Sequence, residues 1–191
     1  FIFITFWVLL FAFSNFSKGF DFTDTTLNYH FSLRTLNGDI PFKDFHTAIM
    51  PFSYYVGAFF LKIFGKDYTL YNYLGLFLII LRSWLIFLII NFFLKNNFNS
   101  LLITIFTISI FGNIQGPIYF SYKPLAETLA LLSIYLSLLS IKDLKLVYLL
   151  GIINALETIS YQSLGFALGL SYILYIIILY RKNIFNKGLF L

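Results

Sequence analysis

The sequence predicts an all-α, polytopic membrane protein of about seven transmembrane helices, with an amphipathic interfacial helix in the first loop. Three observations carry this. Hydrophobic residues make up 60% of the chain and aromatics 22%. Charged residues make up 11%, against roughly 25% in soluble domains. Several apolar runs approach or exceed the roughly 20 residues that cross a bilayer. The chain holds no Cys, so neither a disulfide framework nor a thiolate metal site is available. The net charge of +5 is scattered and forms no compact basic block, which argues against nucleic acid as a partner.

Residues 1–191 read as a single transmembrane module whose first and second spans are joined by a polar loop, residues 17–47. The first span is Phe1 to Phe16. The second begins near Ile49 and stops at Phe64, before Gly65. The third, Leu70 to Leu94, is the cleanest and is long enough to cross with some tilt. Residues 95–100, KNNFNS, form a turn. The fourth span runs from Leu101 to about Tyr119 and is broken late by Gly112, Gly116 and Pro117. The fifth, Pro124 to Ile141, has Pro at its start, where a missing N–H costs nothing. Lys142 to Lys145 make a polar turn. Leu146 to Tyr180 is too long for one span and is interrupted at Glu157 to Ser163, ETISYQS, so it divides into the sixth and seventh. Phe1 lies directly inside an apolar segment and Leu191 soon follows the last one, so a partial chain is expected. The competing reading of residues 1–14 as a signal peptide rests on Ala12 and Ser14 as a small-x-small step.

Within the polar loop, Asp24 opens a run whose apolar residues Leu27, Phe31 and Leu36 fall near helical spacing. Asn37-Gly38 supplies a helix stop, with Gly38 free to take positive φ. Such a helix is expected to lie in the interface, followed by an extended Ile40-Pro41 step.

Few residues are equipped for chemistry, and each has a plain alternative role. Asp24 is placed to cap the loop helix or to act as a carboxylate base at the membrane surface; Asp21 and Asp44 share that ambiguity. Asp39, beside Gly38, reads as a turn residue. Arg34 and Lys43 either snorkel to headgroups or hold a phosphate. No cofactor motif occurs. A divalent metal is the one cofactor with candidate ligands, His30 and His46 beside Asp21, Asp24 and Asp44, but no ligand spacing marks such a site. Arg82 lies deep in the third span, where a cation must face protein, a partner or water. Glu127 is expected in the first turn of its helix, favoured there by the helix dipole, which leaves Glu157 as the expected partner of Arg82. Gly112-x-x-x-Gly116 and Gly165-x-x-x-Gly169 permit close helix approach.

The loop and its flanks resemble the N-terminal part of the GT-C membrane glycosyltransferases, which include protein O-mannosyltransferases and the aminoarabinose transferases of lipid A. The matching features are Asp24, then Gly38-Asp39-Ile40-Pro41-Phe42-Lys43-Asp44, Pro51 with Tyr54-Tyr55, and Phe64-Gly65. The resemblance covers Asp21 to Gly65. Beyond it lie hydropathy, tight helix alternation and the polar break Ile159-Ser160-Tyr161-Gln162. Thr25 stands where the family usually has Glu, and Asn72 where an Arg is often found. The resemblance implies transfer of a sugar from a polyprenyl-phosphate carrier to a lipid, glycan or protein acceptor at the outer face of the membrane, in a bacterial inner membrane and cell-envelope setting. It makes Asp24 the base, a role worth about 10² to 10⁴ in rate, with Asp44 second and Asp21 in reserve. Lys43 and Arg34 would stabilise the departing phosphate. One base opposite the leaving group implies inversion at the anomeric carbon, by analogy with inverting hydrolases. Acceptor contacts in that family lie C-terminal to this region, so residues 1–191 alone are expected to be inactive.

Two other classes compete. A lipid or sugar transporter or flippase would line its path with Arg82 and Glu157 and should show paired broken-helix repeats, which the sequence lacks. A non-catalytic membrane subunit would share the architecture alone. On sidedness the sequence is divided. The seven-span parse puts the loop on the same side as Lys95, Lys142, Lys145 and Arg181, which the positive-inside rule assigns to the cytoplasm, whereas the resemblance puts it outside.

Overall fold

The computed structural model describes residues 1–15, 24–111 and 120–188, and the side chains of all these except 13–15, 24, 70, 111 and 180–188. Long apolar runs satisfy their own backbone N–H and C=O groups by coiling. Among the described residues eight helices result: α1 (Ile2–Asn15), α2 (Asp24–Leu36), α3 (Phe52–Phe64), α4 (Tyr68–Leu94), α5 (Asn97–Phe111), α6 (Tyr122–Ser140), α7 (Leu146–Thr158) and α8 (Gln162–Gly188). Among the described residues there is no strand, and a single isolated bridge pairs Pro41 with Phe45. The class is all-α.

The expected seven spans are corrected by helix length. Among the described residues, two helical stretches are long and apolar enough to cross a membrane, Tyr71–Leu94 in α4 and Gln162–Leu179 in α8. Helices α3 and α7 have 13 residues each, which at 1.5 Å per residue cover roughly 20 Å of a hydrocarbon core roughly 30 Å thick. The described parts of α1 and α5 have 14 and 15 residues, and both stop at the edge of the described residues. Helix α6 has 19 residues but carries Lys123, Glu127, Thr128, Ser133, Ser137 and Ser140. Hydropathy overcounted because apolar side chains continue past helix ends. Ile49 and Met50, for instance, precede Pro51, and helix α3 begins only at Phe52.

Capping explains the other boundaries. Asp67 accepts from the Thr69 N–H at 2.7 Å and starts α4; Lys95 takes a left-handed conformation, φ 52°, and ends it. Asn96 then accepts from the Phe98 N–H at 3.0 Å and starts α5. The sequence break at residues 157–163 is real: α7 stops at Thr158 and α8 begins at Gln162.

Helix α4 is the axis, packed by α1, α3, α5 and α6, while α6 also carries α7 and α8. Three apolar clusters follow from this. Ile4, Val8, Ala12, Ile79 and Ile108 join α1, α4 and α5. Leu61, Tyr71, Leu78, Phe120 and Leu125 join α3, α4 and the approach to α6. Leu136, Leu150 and Tyr172 join α6, α7 and α8.

The loop helix forms where expected, and Gly38 ends it with φ +102°. Its facing differs from the expectation. Thr25, Asn28 and Ser32 point inward and are buried, whereas Leu27 is 50% exposed. Helix α2 is docked on α3, with Tyr29, Leu33 and Leu36 against the Leu61–Tyr71 cluster. The close approach depends on Gly57, where an added Cβ would lie 2.2 Å from Ser32 Oγ.

Candidate functional site

The segment after Gly38 is a locked turn. Ile40 C=O accepts from the N–H groups of Lys43, at 3.2 Å, and Asp44, at 2.9 Å. The Asp44 carboxylate reaches back to accept from the Ile40 N–H at 2.8 Å, and the Phe42 N–H donates to Phe45 C=O at 3.0 Å. Closing so tightly forces Phe42 to φ +69°, a left-handed conformation that costs a non-glycine residue roughly 1–2 kcal/mol.

Arg34 clips this turn to α2. Its Nε donates to Asp39 Oδ2 at 2.6 Å, an Nη donates to Asp44 C=O at 3.0 Å, and its guanidinium lies 4.7 Å from the centre of the Phe45 ring. Phe45 is in turn stacked on Phe31 at 4.9 Å. Planar guanidinium geometry suits this three-way contact. Lys43, by contrast, is exposed at the tip of the turn.

The predicted site residues therefore divide. Arg34, Asp39 and Asp44 are brought together, with Lys43 between them in the chain; Asp39 is the turn residue its position suggested, though held by Arg34. Asp24 is the first residue of α2, and its side chain lies outside the described residues, as does the whole of Asp21. Among the described residues no group of three or more His, Asp and Glu side chains is placed to hold a metal ion. His30 stands beside Phe31, ring centres 5.7 Å apart.

The charges on the helices correct another expectation. Arg82 bonds Glu127, not Glu157. Because α6 starts at Tyr122, Glu127 falls beyond its first turn and faces α4 across their packed interface. Glu157 is fully buried on α7, beside Ser133 and Asn154. Gly165 does permit close packing: an added Cβ there would meet Thr158 Cα at 2.4 Å. Gly112 and Gly116 lie outside the described residues.

Several contributors escaped the sequence reading. Thr47 and Tyr54 share a 2.6 Å hydroxyl contact that carries the turn into α3, and the Phe52 N–H donates to Ile159 C=O at 3.4 Å, tying the loop to the α7–α8 break. Between them is a cavity of about 230 Å³ lined by Ala48, Ile49, Met50, Tyr122, Ser160, Tyr161, Gln162 and Ser163. The polar run Ser160 to Ser163 was its visible signal; the approach of Tyr122 was not. Tyr29, midway along α2, links that helix to the bundle, donating to Lys66 C=O at 2.6 Å. Burial lifts its phenol above the ordinary 10.0, and the Asp67 charge adds to the rise.

This arrangement offers one or more carboxylates and a free-standing lysine on a rigid turn, next to a polar cavity at one end of an apolar bundle. No family model, curated protein or solved structure matches the chain in comparisons with known proteins.

Proposed function

We propose that this chain is the membrane-embedded, donor-handling part of a GT-C-type glycosyltransferase, which moves a sugar from a polyprenyl-phosphate carrier to a lipid, glycan or protein acceptor at the outer face of a membrane. The observation that carries the reading is the Arg34-clipped turn, residues 38–45, standing beside a polar cavity. A bundle exposing Phe6, Leu10, Phe59, Phe106, Phe166, Leu170 and Ile178 is suited to lipid as its solvent, since large aromatic and aliphatic side chains exposed in such number are costly in water. A multi-pass setting in a bacterial inner membrane fits that exposure.

In this mechanism Asp24 takes the proton from the attacking acceptor hydroxyl. Asp44, with one oxygen committed to the Ile40 N–H, keeps the turn in shape. Arg34 is spent on Asp39 and the Asp44 carbonyl, which leaves Lys43 as the mobile cation that meets the leaving phosphate.

The test uses the full-length protein in liposomes, with a polyprenyl-phosphate sugar as donor. Asp24→Asn should abolish turnover without altering the melting temperature, because Asn and Asp cap a helix about equally while only Asp accepts a proton at neutral pH. Lys43→Ala should weaken donor use and leave some turnover. Near-normal turnover by Asp24→Asn would reduce Asp24 to a helix cap.

A further inference from the structure

We propose that the cavity between residues 48–50, Tyr122 and residues 160–163 seats one uncharged sugar ring. The inference rests on the transferase reading and names the ligand class of its second half.

The lining decides the ligand. Its side chains are hydroxyls, one amide, two aromatic rings and a small apolar lip, and no Lys, Arg, Asp or Glu is among them. The lining offers a charged ligand no carboxylate, ammonium or guanidinium to pair with, so it suits a ligand held by neutral hydrogen bonds. Sugar hydroxyls each donate and accept, and the Gln162 amide does both from adjacent atoms, matching a pair of neighbouring hydroxyls. Ser160 Oγ already donates to Leu156 C=O at 2.7 Å, so only its acceptor capacity remains. Tyr122 and Tyr161 meet at 61° with ring centres 5.7 Å apart, forming an aromatic corner for the apolar face of a ring. A volume of about 230 Å³ leaves room for one six-membered ring. Exposed Tyr161, Gln162 and Ser163 leave the cavity accessible.

The sugar belongs either to the donor lipid or to a glycan acceptor, and one experiment separates them. Binding to the full-length protein in nanodiscs is measured for polyprenyl phosphate without sugar, the same lipid carrying a neutral hexose, the same lipid carrying an amino sugar, and a methyl hexoside. Wild type should prefer the hexosyl lipid or the hexoside to the amino-sugar lipid. Gln162→Ala and Tyr161→Ala should each weaken the neutral sugar about tenfold, the loss of one good polar contact, with the sugarless lipid reporting that the fold is intact. Loss confined to the hexosyl lipid assigns the ring to the donor, and loss confined to the hexoside assigns it to the acceptor. Gln162→Glu should raise affinity for the amino-sugar lipid, a gain that misfolding does not produce. Neutral-sugar binding indifferent to both alanine variants, or an amino sugar bound by wild type as well as a neutral one, overturns the cavity assignment while polyprenyl-phosphate binding still upholds the transferase. Wild type that binds no polyprenyl phosphate, yet binds the hexoside through Gln162, sinks the transferase reading alone.

Discussion

Two side chains show how much one residue decides here. Arg34 holds the Asp39 carboxylate, the Asp44 carbonyl and the Phe45 ring at once, and a lysine has neither the planar fork nor the stacking surface to do the same. Arg34→Lys should loosen residues 37–45, seen as faster limited proteolysis there and a loss of roughly 1 kcal/mol; the figure is modest because partly exposed ion pairs contribute little. Unchanged proteolysis would mean the turn is held by Asp44 and Phe42 alone. Tyr29 sets an alkaline limit. Its folded-state pKa is raised above the ordinary 10.0, so its contribution is complete below that value and is lost as pH climbs through the raised one. Wild type should therefore lose α2 docking in an alkaline titration followed by tyrosinate absorbance and proteolysis, and Tyr29→Phe, which cannot ionise, should lose it later.

Among the elements, α2 and α3 depend on one missing side chain. A Cβ on Gly57 would sit 2.2 Å from Ser32 Oγ and 2.9 Å from Tyr71 Oη. Gly57→Ala should cost about 1–3 kcal/mol, as overpacking does, and Ser32→Gly in the same protein should return part of it in a double-mutant cycle. Additive losses would show that α2 does not meet α3 at this point. Elements were also where the sequence read best. The stop of α2 at Gly38 and the break before Gln162 are local events, the first written in the absence of a Cβ and the second in the polar run of residues 157–163. What required the third dimension was partner choice. Nothing in the periodicity of α4 says whether Arg82 meets Glu127 or Glu157, because that follows from which helix α4 packs against. The same holds for Tyr122, whose approach to Tyr161 depends on α6 and the α7–α8 break converging from distant parts of the chain. The Asp44 lock on Ile40 was closer to legible, being four residues long, but turn chemistry competed with the catalytic reading of the same carboxylate.

At the scale of the whole molecule, some polar side chains are buried beside the apolar clusters while many large apolar ones are exposed. Ser83, Thr104, Ser133 and Glu157 are buried while Phe6, Phe106 and Phe166 are exposed, an inversion that a hydrocarbon solvent favours and water does not. Sidedness is then a single unknown. Lys43→Cys, at the exposed tip of the turn, should react with an impermeant thiol reagent in intact cells if the loop faces outward as proposed; labelling that needs lysis would place it in the cytoplasm, as the distribution of lysines suggests. The docking of α2 also orders events during synthesis. Its anchors are Gly57, the Lys66 carbonyl and Tyr71, all of which leave the ribosome after it, and Tyr71 itself rests on Phe120, ring centres 5.3 Å apart. The acidic turn is thus translated early and completed late, its helix waiting undocked until residues 57–71, and Phe120 after them, have arrived to receive it.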